Sequence, residues 1–264
     1  MTYASRKTPE FMCHRLLACR RCDCVYAPAP PDDVFLEQAY GDAGYASQVE
    51  ASLAAATYDQ ALAPHLNGVG RDLALDVGAG DGAMLMEMRR LGFQDVVGIE
   101  PSPAAIAAAS PEIRPHFRQG LFSPEIVREL RPDLITSFMT LEHLKDPGDF
   151  VSAAFDLLKP GGMLAVVVHN RRAVLNRFLG RRSPIIDVEH LQLFSPRSIR
   201  ALLESRGFTG FVSRPLKNRY PLVYWLRLAP LPLLIKNKLL NSLPRQSPLI
   251  GLNVGNIMAL GFKP

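Results

Sequence analysis

The sequence predicts an α/β fold, a parallel sheet covered by helices on both faces. Three observations predict it. Short apolar runs alternate with helical segments from residue 73 onward. The first run breaks into a glycine turn, "LDVGAGDGA" at residues 75–83. The second run ends on an acid, Glu100, 20 positions beyond Gly80. Repeated β–α units whose strands are continuously apolar belong to sheets buried on both faces.

Each element follows in order. "LALDVG" reads as a strand and "GAMLMEMRRLG" as a helix closed by Gly92. "DVVGIE" is the second strand, and "SPAAIAAAS" is a short helix started by Ser102. A third strand precedes "RQGLFS", and "EIVRELRP" is helical. "DLITSFM" is the fourth strand, followed by a helix over "PGDFVSAAFDLLKPGG" that a glycine pair ends. "MLAVVVHN" is the fifth strand, and "SPRSIRALLESRGF" is a helix capped by Ser195 with Pro196 at its first position. "FTGFVSRPL" and "GNIMALGFK" read as two late strands. Residues 1–31 carry the cysteines and end in "APAPP", residues 32–69 read as a helical cap, and residues 70–264 form the main domain. That domain holds a basic insert at 171–190 and a helical segment at 220–245.

Composition narrows the partners. The net charge over 264 residues is +5, too mild to point to nucleic acid. The first nine residues are polar, with no apolar region of a secretory signal behind them, so a cytoplasmic location is expected. The longest apolar region, residues 221–240, is broken by Pro221, Pro230 and Pro232 and by Arg227, Lys236 and Lys238. It predicts no membrane span; it fits a helical subdomain or a peripheral membrane contact. All four cysteines lie in the first 24 residues, which points to a local feature and not to disulfides across the fold.

Ligands of open parallel sheets bind beyond the carboxyl ends of the strands. There Gly78, Ala79, Gly80 and Gly82 let the backbone approach a ligand closely. Glu100 can accept both hydroxyls of a ribose. Gly78, Gly80 and Ala83 also fit a relaxed dinucleotide turn, so the turn alone leaves a nicotinamide oxidoreductase open. Asp76 favours the other side: it would repel a pyrophosphate and attract an α-amino group.

"LDVGAGDG", "VVGIEPSPAAIAAA", "DLITSFMTLEHLKDP" and "LLKPGGMLAVVV" together resemble the successive motifs of class I S-adenosylmethionine-dependent methyltransferases, in order and spacing, over residues 70–210. The resemblance implies a three-layer, Rossmann-like fold, with a seven-stranded, mostly parallel sheet whose last strand is antiparallel. It implies S-adenosylmethionine as cofactor. Asp76 and the turn from Gly78 to Gly82 would hold its methionine part, Glu100 its ribose, and Pro101 would line the adenine. Leu121 and Phe122 stand where many members carry an acid for the adenine amino group, and Phe138 ends the fourth strand beside the cofactor. The N-terminal "HRLLACRRCDCVYAPAPPDD" resembles half of a zinc-ribbon knuckle found ahead of some sugar-modifying methyltransferases. Zinc would use Cys19 and Cys22, but the second CxxC pair is missing and Asp23 stands at the usual glycine.

The acceptor side offers Glu142 and His143 after the fourth strand, His169 and Asn170 after the fifth, and His190 before the next helix. His143 and His190 rank level as general bases, with Glu142 beside them. A metal held by Glu142 and these histidines has no spacing signature. Five arginines and no acid lie from Arg171 to Arg182. Arg171, Arg172 and Arg181 are candidates for an anionic small-molecule acceptor, such as a sugar, a nucleotide-linked sugar or a glycan-lipid intermediate. A non-catalytic chain that binds the cofactor or a partner is the alternative.

Overall fold

The computed structural model describes residues 10, 12–229, 231–244 and 247–264. The chain opens with the hairpin β1 (Leu17–Ala18) and β2 (Val25–Tyr26), then the helices α1 (Asp33–Gly41) and α2 (Gln48–Leu62). The alternating part runs β3 (Leu73–Val77), α3 (Ala83–Arg90), β4 (Asp95–Glu100), α4 (Pro103–Ala108), β5 (Phe117–Gln119), α5 (Pro124–Val127) and β6 (Leu134–Phe138). It continues with α6 (Pro147–Leu157), β7 (Met163–His169), α7 (Val174–Leu179), β8 (Gln192–Leu193), α8 (Pro196–Glu204) and β9 (Thr209–Pro215). Last come β10 (Asn218–Pro221), α9 (Leu222–Leu228), α10 (Leu233–Ser242), β11 (Leu249–Leu252) and β12 (Asn256–Phe262).

Seven strands form one sheet in the order β5-β4-β3-β6-β7-β12-β9. Neighbours from β5 to β7 are parallel, and β12 is antiparallel to both β7 and β9. The expected architecture is therefore present. Its strands are apolar throughout because both faces are covered. Ala74, Met163, Ala165 and Val167 pack toward α2 and α3. Leu75, Val77, Leu164, Val166 and Val168 pack toward α6 and α8. This alternation is the period of two that a strand imposes.

Ser102 and Ser195 cap their helices as expected, and Asp146 supplies a further cap. Ser102 accepts from Ala105 N at α4, Asp146 from Gly148 N and Asp149 N at α6, and Ser195 with Ser198 forms a capping box at α8. Two expectations differ. The helix read over "EIVRELRP" is a single turn ending at Val127. Residues 220–245 hold two short helices, beside a β10–β11 ribbon that the sequence reading did not anticipate. No helix among the described residues is long and apolar enough to cross a membrane.

β4 and β6 flank β3 on opposite sides, so the chain changes direction across the sheet at β3. The crevice at such a switch point is the ligand site of doubly wound sheets. The helices α1 and α2 line it through Leu36, Tyr40, Ala54 and Tyr58.

Candidate active site

The turn after β3 is built for close approach. Gly78, Gly80 and Gly82 take φ of +78°, +57° and +77°, a region where glycine alone has no steric cost. A Cβ at Gly78 would run into Thr140, which follows β6, so the two loops meet at the switch point. Gly82 serves packing: its Cβ would meet Ile113 and Phe117, and it does not line the cavity.

Glu100 is fastened at the end of β4. Gly80 N donates to its Oε2 at 2.8 Å and Ser102 N to its Oε1 at 2.9 Å. Each oxygen keeps a further lone pair for a ligand hydroxyl. Burial outweighs these two bonds and pushes its pKa up to about 7. Asp76 accepts from Thr136 Oγ1 and is 3% exposed. Burial, opposed by Thr136 and aided by the nearby Glu100, lifts it to about 7.

These residues border a cavity of about 1390 Å³. A single small-ligand site spans roughly 300–1,000 Å³, so there is room for a cofactor and a second molecule. Asp76, Gly78, Ala79, Gly80, Glu100 and Pro101 line it. Leu121, Phe122 and Phe138 line it too. Phe122 meets Phe150 edge-on at 5.1 Å, an apolar wall where the family often has an acid. A carboxylate with spare acceptors, a glycine cradle, a buried acid and an aromatic wall fit an adenosyl cofactor bearing an amino group.

The cavity also gathers histidines. His143 sits in the one-turn helix Leu141–His143, His169 ends β7, and His190 precedes β8. Leu191 N donates to Glu142 O at 2.8 Å, which ties the His190 loop to the end of β6. The His143 and His190 rings lie 4.9 Å apart and the His169 and His190 rings 5.2 Å apart. His143 Nδ1 is 3.2 Å from the Tyr40 hydroxyl and 3.9 Å from Glu189 Oε2. Burial, with the neighbouring His190, drives the His169 pKa down to about 3. Glu142 lies behind the cavity wall, fully buried, and burial raises it to about 8.

The arginines are elsewhere. Arg171 and Arg172 both grip the Asp23 carboxylate, and neither they nor Arg181 line the cavity. Asp23 accounts for this. It takes φ +69° in the hairpin turn, as the usual glycine would, and its side chain then reaches across to the insert. The bond from Arg172 leads in lowering its pKa to about 2. Arg171 and Arg172 are thus engaged in a clamp on Asp23, away from the cavity lining. Cys19 and Cys22 face each other in the same turn, where N–H groups at Cys22 and Arg21 lower the Cys19 pKa and burial raises that of Cys22. Among the described residues no third ligand joins them. Burial pushes the Cys24 thiol up to about 12.

Three contributors were not anticipated. Met139 lines the cavity with φ +58°, an unusual backbone state for a side-chain-bearing residue. Tyr40 and Glu189 approach His143 from distant segments. Met139 lies inside the quoted "DLITSFMTLEHLKDP" motif, but nothing local marks its backbone state or the approach of Tyr40 and Glu189 to His143.

A family model described as "Methyltransferase domain" matches residues 45–211. A protein named ubiquinone biosynthesis O-methyltransferase, from Bradyrhizobium sp. (strain ORS 278), is 35% identical over 105 residues, covering 37% of this chain and 40% of that protein. Its namesake from Rhodopseudomonas palustris (strain HaA2) is 34% identical over 169 residues, covering 56% and 64%. The match thus spans less than two thirds of either relative. A SAM-dependent methyltransferase from Archaeoglobus fulgidus superposes with a TM-score of 0.54 at 16% identity, covering 88% of this chain and all of that one. The plantazolicin methyltransferase BpumL, solved with SAH and a monoazolic desmethylPZN analog, gives 0.55 at 16% identity, covering 82% and 86%. These two likenesses are of fold.

Proposed function

The chain belongs to the class I S-adenosylmethionine-dependent methyltransferases, and from that premise we propose that it methylates a hydroxyl oxygen of a small, largely apolar acceptor. The observation that carries the reading is the histidine cluster: His143, His169 and His190 line the same cavity as the Glu100 cradle. When bound, S-adenosylmethionine supplies a methyl group activated by its sulfonium for in-line displacement.

The chain's own residues do the rest. Glu100 accepts the ribose hydroxyls and Asp76 faces the amino group. Leu121 and Phe122 flank the adenine, and Phe138 and Met139 shape the passage to the acceptor. His143 takes the acceptor's proton. Tyr40 and Glu189 sit at its Nδ1, so its Nε2 is turned to the reaction, and a carboxylate nearby supports the imidazolium that forms. Tyr224, Trp225 and Leu228 supply an apolar wall for the acceptor. The relatives' name, ubiquinone biosynthesis O-methyltransferase, supports oxygen as the atom methylated. A sugar nucleotide or glycan-lipid acceptor has less support, because Arg171 and Arg172 are engaged by Asp23.

Radiolabelled methyl transfer to an alkyl-substituted phenol and to a sugar nucleotide tests this. The phenol should be methylated, and His143→Ala should lower kcat by about 10²–10⁴. Turnover on the sugar nucleotide alone, or full activity in His143→Ala, would overturn it.

A further inference from the structure

Glu142, His169 and His190 each present one ligand-type atom, all within 4.8 Å of one another. They come from three separate segments: the turn after β6, the end of β7 and the loop before β8. The Glu142 side chain is 1% exposed, and among the described residues neither of its oxygens has a partner at full hydrogen-bond geometry; only the backbone N–H groups of Glu142 and His169 act on it. Buried polar atoms in proteins are nearly always partnered, so this carboxyl group calls for an explanation. The nearest imidazole does not supply one: His169 Nε2 is 3.8 Å from Glu142 Oε1, beyond hydrogen-bond reach.

Both imidazoles are held from behind. His169 Nδ1 is 2.9 Å from Asn256 Oδ1, and His190 Nδ1 is 2.9 Å from the Ile185 carbonyl oxygen. These oxygens accept, so the proton of each ring sits on Nδ1 and its lone pair on Nε2. A ring pinned through one nitrogen to a carbonyl, with the other nitrogen left to meet a cation, is the arrangement that orients histidine ligands.

We propose that Glu142, His169 Nε2 and His190 Nε2 form a binding site for one divalent transition-metal cation of the zinc or iron(II) type. Two imidazoles and a carboxylate suit these ions; magnesium and calcium favour oxygen donors throughout. Closing onto an ion takes shifts of ~1 Å, to reach bonds of about 2.0–2.2 Å. Three protein ligands leave coordination positions open, and His169 and His190 both line the cavity. The ion therefore sits where an acceptor oxygen can reach it. That last role rests on the methyl-transfer reading; the binding of the cation does not.

Cobalt(II) titration of the full chain tests the site, using a Cys13→Ser/Cys19→Ser/Cys22→Ser/Cys24→Ser background so that thiolates do not compete. One equivalent should bind and give a visible absorption band without thiolate charge transfer. Glu142→Gln and His190→Ala should each weaken binding by about 10–100-fold. S-adenosylhomocysteine binding, measured on the same samples, should persist. Its persistence shows that each variant is folded, and it separates failure of the metal site from failure of the methyltransferase reading. If Glu142→Gln does not fold, His190→Ala, altered in a surface-reaching loop, decides. No stoichiometric cobalt uptake, or uptake unchanged in folded variants, overturns the proposal.

Discussion

Asp76 and Glu100 are buried acids held at about 7, well above the usual carboxylate range. The sign follows from burial. A folded-state pKa above the unfolded value means that the folded chain takes up protons between about 4 and 7, so these groups cost stability as pH rises through that window. Ionisation near 7 also creates the charge that an α-amino group needs. Affinity for S-adenosylhomocysteine should therefore tighten by about tenfold between pH 6 and pH 8 for a group titrating near 7. Titrations across that range should show a weaker dependence in Asp76→Asn, which keeps an acceptor for Thr136. Identical dependence in both would contradict the assignment. These two acids were legible in the sequence because each stands at the end of its own apolar strand. The partners of His169 and His143 were not. Asn256 is 87 positions from His169, and Tyr40 is 103 from His143, so only the assembled sheet brings them together.

The N-terminal hairpin β1–β2 shows how an element changes the meaning of a motif. β2 pairs with β8, and Asp23 in the turn holds Arg171 and Arg172 of the basic insert. The knuckle is thus a strap across the insert that ends in His190. Asp23→Ala removes the ion pairs and puts alanine in a left-handed backbone state, so it should destabilise the chain by about 1–3 kcal/mol. Asp23→Gly relieves the backbone cost and should lose less. Denaturant melts of the two variants separate the contributions, and equal losses would mean that the backbone state is unstrained. The contribution of Asp23 is present above its ordinary pKa and is lost as pH falls toward about 2. The long strands and capped helices could be read in advance because their periodicity and caps are local. β8 has two residues and β10 has four, too short for any period to show.

At the scale of the whole molecule, the sheet order places the ends of β3, β4, β6 and β7 around one cavity. In the proposed reading the glycine turn and Glu100 form its cofactor part, and the histidines form the rest. The division was visible in the sequence as strand ends bearing different chemistry. What it could not show was that α1, α2 and α9 would close over both parts with Tyr40, Tyr58 and Trp225. The cofactor part is the premise on which the acceptor and metal proposals stand, and calorimetric titration of the intact chain with S-adenosylhomocysteine addresses it most directly. One equivalent should bind, Glu100→Ala should weaken it by about 100-fold through the loss of two charge-assisted bonds, and NAD should give no heat. Binding of NAD without binding of S-adenosylhomocysteine, or full affinity in Glu100→Ala, would contradict the account.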